Sequence, residues 1–458
     1  MKVALVFPRF RGKHTRFKYF LEPPMGLCYI ASVLKENHID VKIFDGTFDD
    51  SDTLIEKMKN YQPDTIGVHS NILTIDDGLS FAEKIKVVFI NIPIVFGGPQ
   101  PTVIPEEILK NENVDIVVVG EAEITFLDLI NNLNNLEKVK GIYYKKGKKI
   151  VKNPLREFIK DLDSLPFPAY DLLNPQYFRS LYKVVIASRG CPFNCSFCQP
   201  TLRKLFGNLR LRSPKNVVAE IEFLVKNYHT DYILFHDDTF TFNKKWVIDI
   251  CKLIIERNLK IRWICNGRVN TINKEMLEWM KKAGCVLIEF GVESGSELIR
   301  NSVLNKNVTN EQIENTFLLC HKVGIKSGAY VMIGSPGETK ETLNETVELL
   351  KKIRPETIIA SITTPMHGTY LYDICKEKNL IKAEKWSDFD FSEKISIRYE
   401  HITEKDIENV LNKIKFMSIK NYIFYNLKTL NFKELFEEIF LEPKRIPNVI
   451  KKCIKSIL

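Results

Sequence analysis

Three cysteines fall close together in the run Arg189-Gly190-Cys191-Pro192-Phe193-Asn194-Cys195-Ser196-Phe197-Cys198, with three and then two residues between them. Thiolates at that spacing can wrap one metal group on a short loop. A cubane iron–sulfur cluster has four irons and usually takes four cysteines. Three would leave one iron open, and an open metal position can bind a small molecule directly. The residues alone also allow a zinc site, which normally takes four ligands in paired spacings; His229 and His236 lie further on, in segments that read as a helix and a strand. A third reading is three simply buried thiols. The other cysteines (Cys28, Cys251, Cys265, Cys285, Cys320, Cys375 and Cys453) are scattered, mostly in apolar segments, where a thiol serves as a small buried hydrophobe.

The cysteine loop follows an apolar run, Val184 to Ala187, that opens an alternating series. Tyr232–Phe235, Ile261–Cys265, Val286–Phe290, Ala329–Ile333 and Ile358–Ile362 read as the next strands, with helices between them. Six successive β/α units predict a partial (β/α)6 barrel with its chemistry at the carboxyl ends of the strands. An earlier series, Val3–Phe7, Val41–Phe44, Thr65–Val68, Ile94–Phe96 and Ile116–Val119, predicts a doubly wound, Rossmann-like parallel sheet covered on both faces. Ligands of such sheets sit beyond the strand ends, here at His69-Ser70-Asn71, Gly97-Gly98-Pro99 and Gly120-Glu121. The expected division is an α/β domain over 1–150, a proline-rich linker over 151–180, the barrel over 181–385 and a small helix-rich region over 386–458. There is no internal repeat.

The CxxxCxxC loop at the end of a first barrel strand resembles the defining motif of the radical S-adenosylmethionine (SAM) superfamily, over roughly residues 180–370. The resemblance implies a [4Fe-4S] cluster on Cys191, Cys195 and Cys198, with SAM on the open iron. Reductive cleavage of SAM then yields a 5′-deoxyadenosyl radical that abstracts hydrogen. It also implies Phe197 near the adenine, Asp237 or Asp238 at the SAM amine, and Arg268 paired with the SAM carboxylate. Glu293 would bond SAM's polar groups, and the run Ile333-Gly334-Ser335-Pro336-Gly337-Glu338 would form the adenine-contacting turn, with Ile333 and Gly334 at SAM. The family's usual glycine-rich version of the second strand end is absent. A strand-end carboxylate taken alone is often only a helix cap.

Ahead of the barrel, Glu22-Pro23-Pro24-Met25-Gly26-Leu27, Gly97-Gly98-Pro99-Gln100-Pro101-Thr102 and Gly120-Glu121-Ala122-Glu123 recur in an order similar to the cobalamin-binding domain of cobalamin-dependent radical SAM enzymes. That resemblance implies Ser70 and Asn71 under the corrin ring. Gly97, Gly98 and Pro99 would allow its close approach, and Gly120 and Glu121 would flank the nucleotide tail. No DxHxxG motif is present; the nearest text is Asp45-Gly46-Thr47, so the cobalt would lack that histidine ligand. His69 is the other candidate, though a lone strand-end histidine more often serves as a structural hydrogen bonder.

The chain has 458 residues, 45% hydrophobic and 27% charged, with a net charge of +9. That charge is mild and does not indicate nucleic acid. No leader pattern or spanning apolar stretch is evident, which predicts a cytoplasmic protein. In the tail, Phe416, Ile419, Ile423, Leu427 and Leu430 form one helical stripe, and Phe432, Leu435, Phe436, Ile439 and Phe440 another. The favoured reading is helices packed on the barrel; the other is peripheral membrane contact with a lipid-like substrate. The expected partners are a small-molecule or lipid-like substrate and a one-electron reductant such as ferredoxin or flavodoxin. The expected activity is methyl transfer to an unactivated carbon. The alternatives are cobalamin-dependent cyclisation, ring rearrangement or another carbon-skeleton change, and, from another class, a non-catalytic corrinoid or SAM sensor. Methylthiolation is disfavoured, because that family carries three further cysteines before the barrel and only Cys28 is found there.

Overall fold

The structure, a computed structural model, describes residues 1–8, 22–179, 183–390 and 394–428. Cys453, Leu430 and the second tail stripe lie outside the described residues. The chain divides into two compact units. The first comprises Met1–Tyr228, Pro365–Ile374 and Ala383–Phe389; the second comprises His229–Thr364, Cys375–Lys382 and Asp390–Leu458. The first unit thus runs past the expected boundary at residue 150 and takes in the proline-rich segment and the cysteine loop.

Its main sheet contains β1 (Lys2–Phe7), β2 (Asp40–Asp45), β3 (Thr65–His69), β4 (Ile94–Gly97), β5 (Ile116–Val118), β6 (Ile142–Lys146) and β7 (Lys149–Lys152), in the order β2-β1-β3-β4-β5-β6-β7. Successive residues of a strand point to opposite faces, and both faces are covered. Ala4 and Val6 join a core with Phe81, Ala82 and Ile85 of the helix Ile75–Val88. Val3, Leu5 and Phe7 join a core with Leu27, Ile30 and Leu34 of the helix Met25–Glu36. Two-sided burial is why these strands are continuous apolar runs. The strand order reverses between β1 and β3, so the loops after β3, β4 and β5 gather at the edge where such sheets bind ligands.

The five strands expected from sequence pair in parallel, and the structure adds β6 and β7, which extend the sheet by antiparallel pairing and make it mixed. Gly147, at φ +61°, opens the two-residue turn between them, a conformation that costs a residue with a side chain more than it costs glycine. A further strand, β8 (Lys183–Val185), precedes a short antiparallel ribbon of β9 (Ser188–Arg189) and β10 (Arg210–Leu211).

In the second unit, β11 (Tyr232–Phe235), β12 (Arg262–Gly267), β13 (Cys285–Glu293), β14 (Lys326–Ile333) and β15 (Thr357–Ile362) lie side by side in sequence order, all parallel. All six strands expected of the barrel series are present, each displaced by no more than three residues at either end. Phe235, Trp263, Ile288, Phe290, Val331 and Ile333 are fully buried. Four returning helices begin at side-chain caps. Asn243, Asn273, Thr309 and Thr339 accept hydrogen bonds from Trp246, Met276, Gln312 and Thr342 backbone amides, each satisfying one of the donors orphaned at a helix start. A long helix, Glu404–Lys428, packs along this unit: the Ile358 amide donates to Ser418 Oγ at 3.1 Å and Asn421 Nδ2 to the Pro355 carbonyl at 2.9 Å. The helix itself therefore packs on this unit, while the side chains of Ile423 and Leu427 in the expected stripe lie outside the described residues. No described helix is long and apolar enough to cross a membrane.

Candidate functional site

The cysteine loop leaves the β9–β10 ribbon through Gly190, at φ +83°. A Cβ there would lie 3.0 Å from the Asn208 carbonyl oxygen and 3.1 Å from that of Gly207, so the tight exit requires glycine. The Cys198 and Gln199 amides both donate to the Cys195 carbonyl, at 3.1 and 2.9 Å, which coils the two cysteines onto one turn. Residues Tyr370 and Leu371 brace the loop by donating their amides to the carbonyls of Gln199 and Ser196, at 2.8 and 2.9 Å. Cys195 is buried; Cys191, Cys198 and Phe197 are half-buried. Among the described residues, no three His, Cys, Asp or Glu side chains are grouped around a single metal ion. Three thiols free of disulfides on an accessible loop fit a cubane, whose ligands each bind a different iron and need not converge on one point. The scattered cysteines behave otherwise: Cys28, Cys251, Cys265, Cys285, Cys320 and Cys375 are buried. Desolvation pushes the Cys375 thiol up to about 12 and raises those of Cys28, Cys251, Cys265 and Cys320 further.

At the strand ends of the first unit, Gly98 sits at φ +104°. An added Cβ there would lie 2.7 Å from the Ser70 carbonyl oxygen and 3.1 Å from the His69 ring. Gly97 is under no such constraint, its nearest neighbour being Val118 at 3.8 Å. Three buried polar atoms on these loops have no protein partner: His69 Nδ1, Ser70 Oγ and Gln100 Nε2. Burial lowers the His69 pKa to about 4, so its imidazole is neutral at pH 7. Buried polar groups are nearly always paired, and this cluster of exceptions fits a polar ligand such as a corrin. Asn71 is otherwise engaged: its Oδ1 accepts from the Leu73 and Thr74 amides at 2.9 and 3.1 Å and closes the turn. Pro99 starts a short helix, Pro99–Val103, whose Thr102 Oγ1 accepts from the Gly120 amide at 3.1 Å. Glu121 lies in a buried ion-pair group with Arg189 and Arg210. Burial works against its charge, but the two arginines and the Ile159 amide outweigh this and hold its carboxyl below the usual glutamate range.

In the second unit, Asp237 is buried after β11 and Asp238 is exposed. Beyond β12, Arg268 Nε donates to Asn270 Oδ1 at 2.9 Å and its terminal nitrogen donates to the Lys306 carbonyl. Glu293 ends β13 beside a register shift at φ +62°, and its Oε1 accepts from Lys306 Nζ at 2.5 Å. Lys306 therefore links two residues that had been singled out separately, one through its carbonyl and one through its ammonium. The sequence reading missed it; flanking Asn305 and Asn307, both at positive φ, were the available signal of a tight loop. The Ile333 side chain is fully buried and its carbonyl accepts from the Thr363 amide. Gly334, at φ +86°, leaves room for the Tyr399 ring, whose hydroxyl would lie 2.7 Å from an added Cβ. Glu338 closes the run Ile333-Gly334-Ser335-Pro336-Gly337-Glu338 that forms this turn. Its Oε2 accepts from the Gly334 and Ser335 amides at 2.6 and 2.9 Å, and burial still pushes its pKa up to about 7. Glu338 Oε1 and the Tyr399 hydroxyl are buried without a protein partner, so the turn after β14 also retains hydrogen-bonding capacity, which fits a polar ligand such as SAM.

Two family models match this chain: the radical SAM superfamily over residues 185–350 and the B12 binding domain over residues 19–130. An uncharacterized methyltransferase of Pyrococcus horikoshii is 34% identical over 471 residues, covering 100% of this chain and 98% of the relative. An anaerobic magnesium-protoporphyrin IX monomethyl ester cyclase of Cereibacter sphaeroides is 29% identical over 426 residues, covering 88% of this chain and 68% of the relative. In fold, the chain is similar to the cobalamin-dependent SAM radical enzyme OxsB, solved with aqua-cobalamin and SAM bound, at TM-score 0.76 and 18% identity, covering 100% of this chain and 70% of that one. The cofactors expected from sequence, a [4Fe-4S] cluster, SAM and cobalamin, are those of the two matched families. With a B12-binding domain followed by a radical SAM domain and a relative aligned along its whole length, the chain belongs to the cobalamin-dependent radical SAM enzymes.

Proposed function

We propose that this enzyme transfers a methyl group to an unactivated carbon of a small or lipid-like substrate. The observation that carries the reading is the alignment, over the full chain, with a methyltransferase. Bound to this chain, the cluster and SAM supply a hydrogen-abstracting radical, and cobalamin supplies a methyl carrier. Cys191, Cys195 and Cys198 hold the cluster, and Phe197 packs at the adenine. Arg268, Glu293 and Asp237 or Asp238 orient the polar end of SAM, while the backbone at Ile333 and Gly334 lines its base. Gly98 and Pro99 let the corrin approach the backbone, with Ser70, Asn71, Gly97 and Gly120 around it. His69 carries a neutral imidazole at pH 7, and its buried Nδ1 is left for a ligand to meet. The electron comes from a ferredoxin or flavodoxin.

A second reading, cyclisation or another carbon-skeleton change, is favoured by the similarity to the cyclase of Cereibacter sphaeroides. Anaerobic reconstitution with iron, sulfide and hydroxocobalamin, followed by product analysis with SAM and a reductant, separates the two. Methyl transfer yields S-adenosylhomocysteine alongside 5′-deoxyadenosine when substrate is supplied. Formation of 5′-deoxyadenosine with no S-adenosylhomocysteine under turnover would sink the methyl-transfer reading in favour of the second.

A further inference from the structure

Arg189 ends the strand from which the cysteine loop departs, and its direct cross-strand neighbour is Arg210. Like charges facing each other destabilise an antiparallel pair, and a ribbon two residues long on each side has little else to hold it. Both guanidiniums turn to carboxylates supplied by the loop after β5 and by the first residue of the helix Glu123–Asn131 that follows it. Arg189 donates to Glu121 Oε1 at 2.8 Å and to Glu123 Oε1 at 2.6 Å. Arg210 donates to Glu121 Oε2 at 2.9 Å and to Oε1 at 3.0 Å. The Ile159 amide gives Glu121 a fourth hydrogen bond, at 2.9 Å. The four side chains are between 5% and 13% exposed. With two charges of each sign, the group is neutral and nearly dry. The Arg189 guanidinium also lies over the Tyr29 ring, 5.1 Å from its centre.

We infer that Glu121, seconded by Glu123, is a positioning residue for the iron–sulfur cluster: it neutralises the two facing arginines and so fixes the ribbon from which the cysteine loop springs. One residue, Gly190, separates Arg189 from Cys191. A carboxylate has about four acceptor sites, and four donors fill those of Glu121, leaving no oxygen for the nucleotide tail of a corrin. The same loop is tied to the glycine-rich corner through the Gly120 amide and Thr102, so the folding of the B12-binding part and the geometry of the cysteine loop share one support. This role needs only the cluster; whether the substrate is methylated or cyclised does not enter.

The test is Glu121→Gln in the full chain, reconstituted anaerobically with iron, sulfide and hydroxocobalamin, with iron and corrin per chain measured after desalting. The isosteric change keeps the shape but leaves one carboxylate against two buried arginines, an imbalance that is strongly destabilising. Iron retention should fall to about a third or less, with an altered spin-resonance line shape for the reduced cluster. The double variant Glu121→Gln with Arg210→Gln restores neutrality and should recover most of the iron and the wild-type line shape. Wild-type iron and line shape in the single variant would overturn the role, as would a double variant no better than the single one. Loss of corrin with normal iron would assign Glu121 to cobalamin instead and overturn it too.

Discussion

At the strand ends of the first unit, His69 Nδ1, Ser70 Oγ and Gln100 Nε2 are buried with no protein partner; at those of the second, Glu293 and Lys306 form a buried ion pair and the Arg268 guanidinium donates to the Lys306 carbonyl and Asn270 Oδ1. The difference follows from the cost of leaving each kind of group unpaired. A neutral polar atom without a partner costs about 1–3 kcal/mol, which a domain can carry at a few positions. An isolated buried charge costs far more, so the second edge satisfies its charges internally. A ligand at the first edge meets open hydrogen-bonding capacity, whereas one at the second exchanges with bonds already made. Glu338 Oε1 and the Tyr399 hydroxyl are the exceptions in the second unit. Consistent with that rule, the Glu338 carboxyl avoids isolation as a charge by holding its proton to near neutral pH.

The largest effect belongs to the cysteine loop, without which the contrast has no chemistry to serve. Cys195→Ala should bring both cluster iron and SAM cleavage to background; unchanged iron would remove Cys195 from the ligand set. The next variant attacks the paired edge. Lys306→Met strips Glu293 of its partner and should destabilise the apo chain by about 3–5 kcal/mol in denaturant titration. A loss under about 1 kcal/mol would mean that the Glu293–Lys306 pair is solvated and the contrast false.

Glu338 sharpens the comparison through pH. Its folded pKa of about 7 lies above the ordinary 4.5, so the folded chain binds the extra proton. Its contribution is most favourable below pH 4.5 and is lost as pH rises through 7. At about 1.4 kcal/mol per pKa unit the loss is at most about 3.5 kcal/mol. Comparing wild-type and Glu338→Gln unfolding across that window should show a fall in the wild type that the variant lacks; parallel curves would refute the raised pKa. The smallest effect is at the unpaired edge. Gly98→Ala forces a positive φ and a Cβ against the Ser70 carbonyl, a strain of about 1–3 kcal/mol. Hydroxocobalamin uptake should weaken about tenfold with cluster iron unchanged. Undiminished uptake would detach this corner from the corrin.

Much of this was readable before any coordinates. The strands came through because two-sided burial writes continuous apolar runs, and the candidate cysteines and glycines could be picked out because the features that mark them are local: spacing along a loop, and backbone angles at one residue. The antiparallel pair β6 and β7 did not, since Ile142–Lys152 is rich in lysine and lies at the sheet's edge, where burial writes a weaker pattern. The roles of Lys306, Glu338 and Tyr399 were illegible for a different reason. Tyr399 lies more than sixty residues from Gly334, and a lysine or tyrosine in a loop carries no mark of the partner it will meet.

The sequence by itself determined the order of the elements and carried the motifs whose family resemblance implies the cofactors, because a three-cysteine loop and the glycine corners are written as spacing along the chain. Only the tertiary structure decided which charges balance one another. Glu121 reaches Arg189 and Arg210 across 68 and 89 residues, and no local pattern encodes a pairing that exists only once the sheet edge has brought distant loops together and removed the water between them.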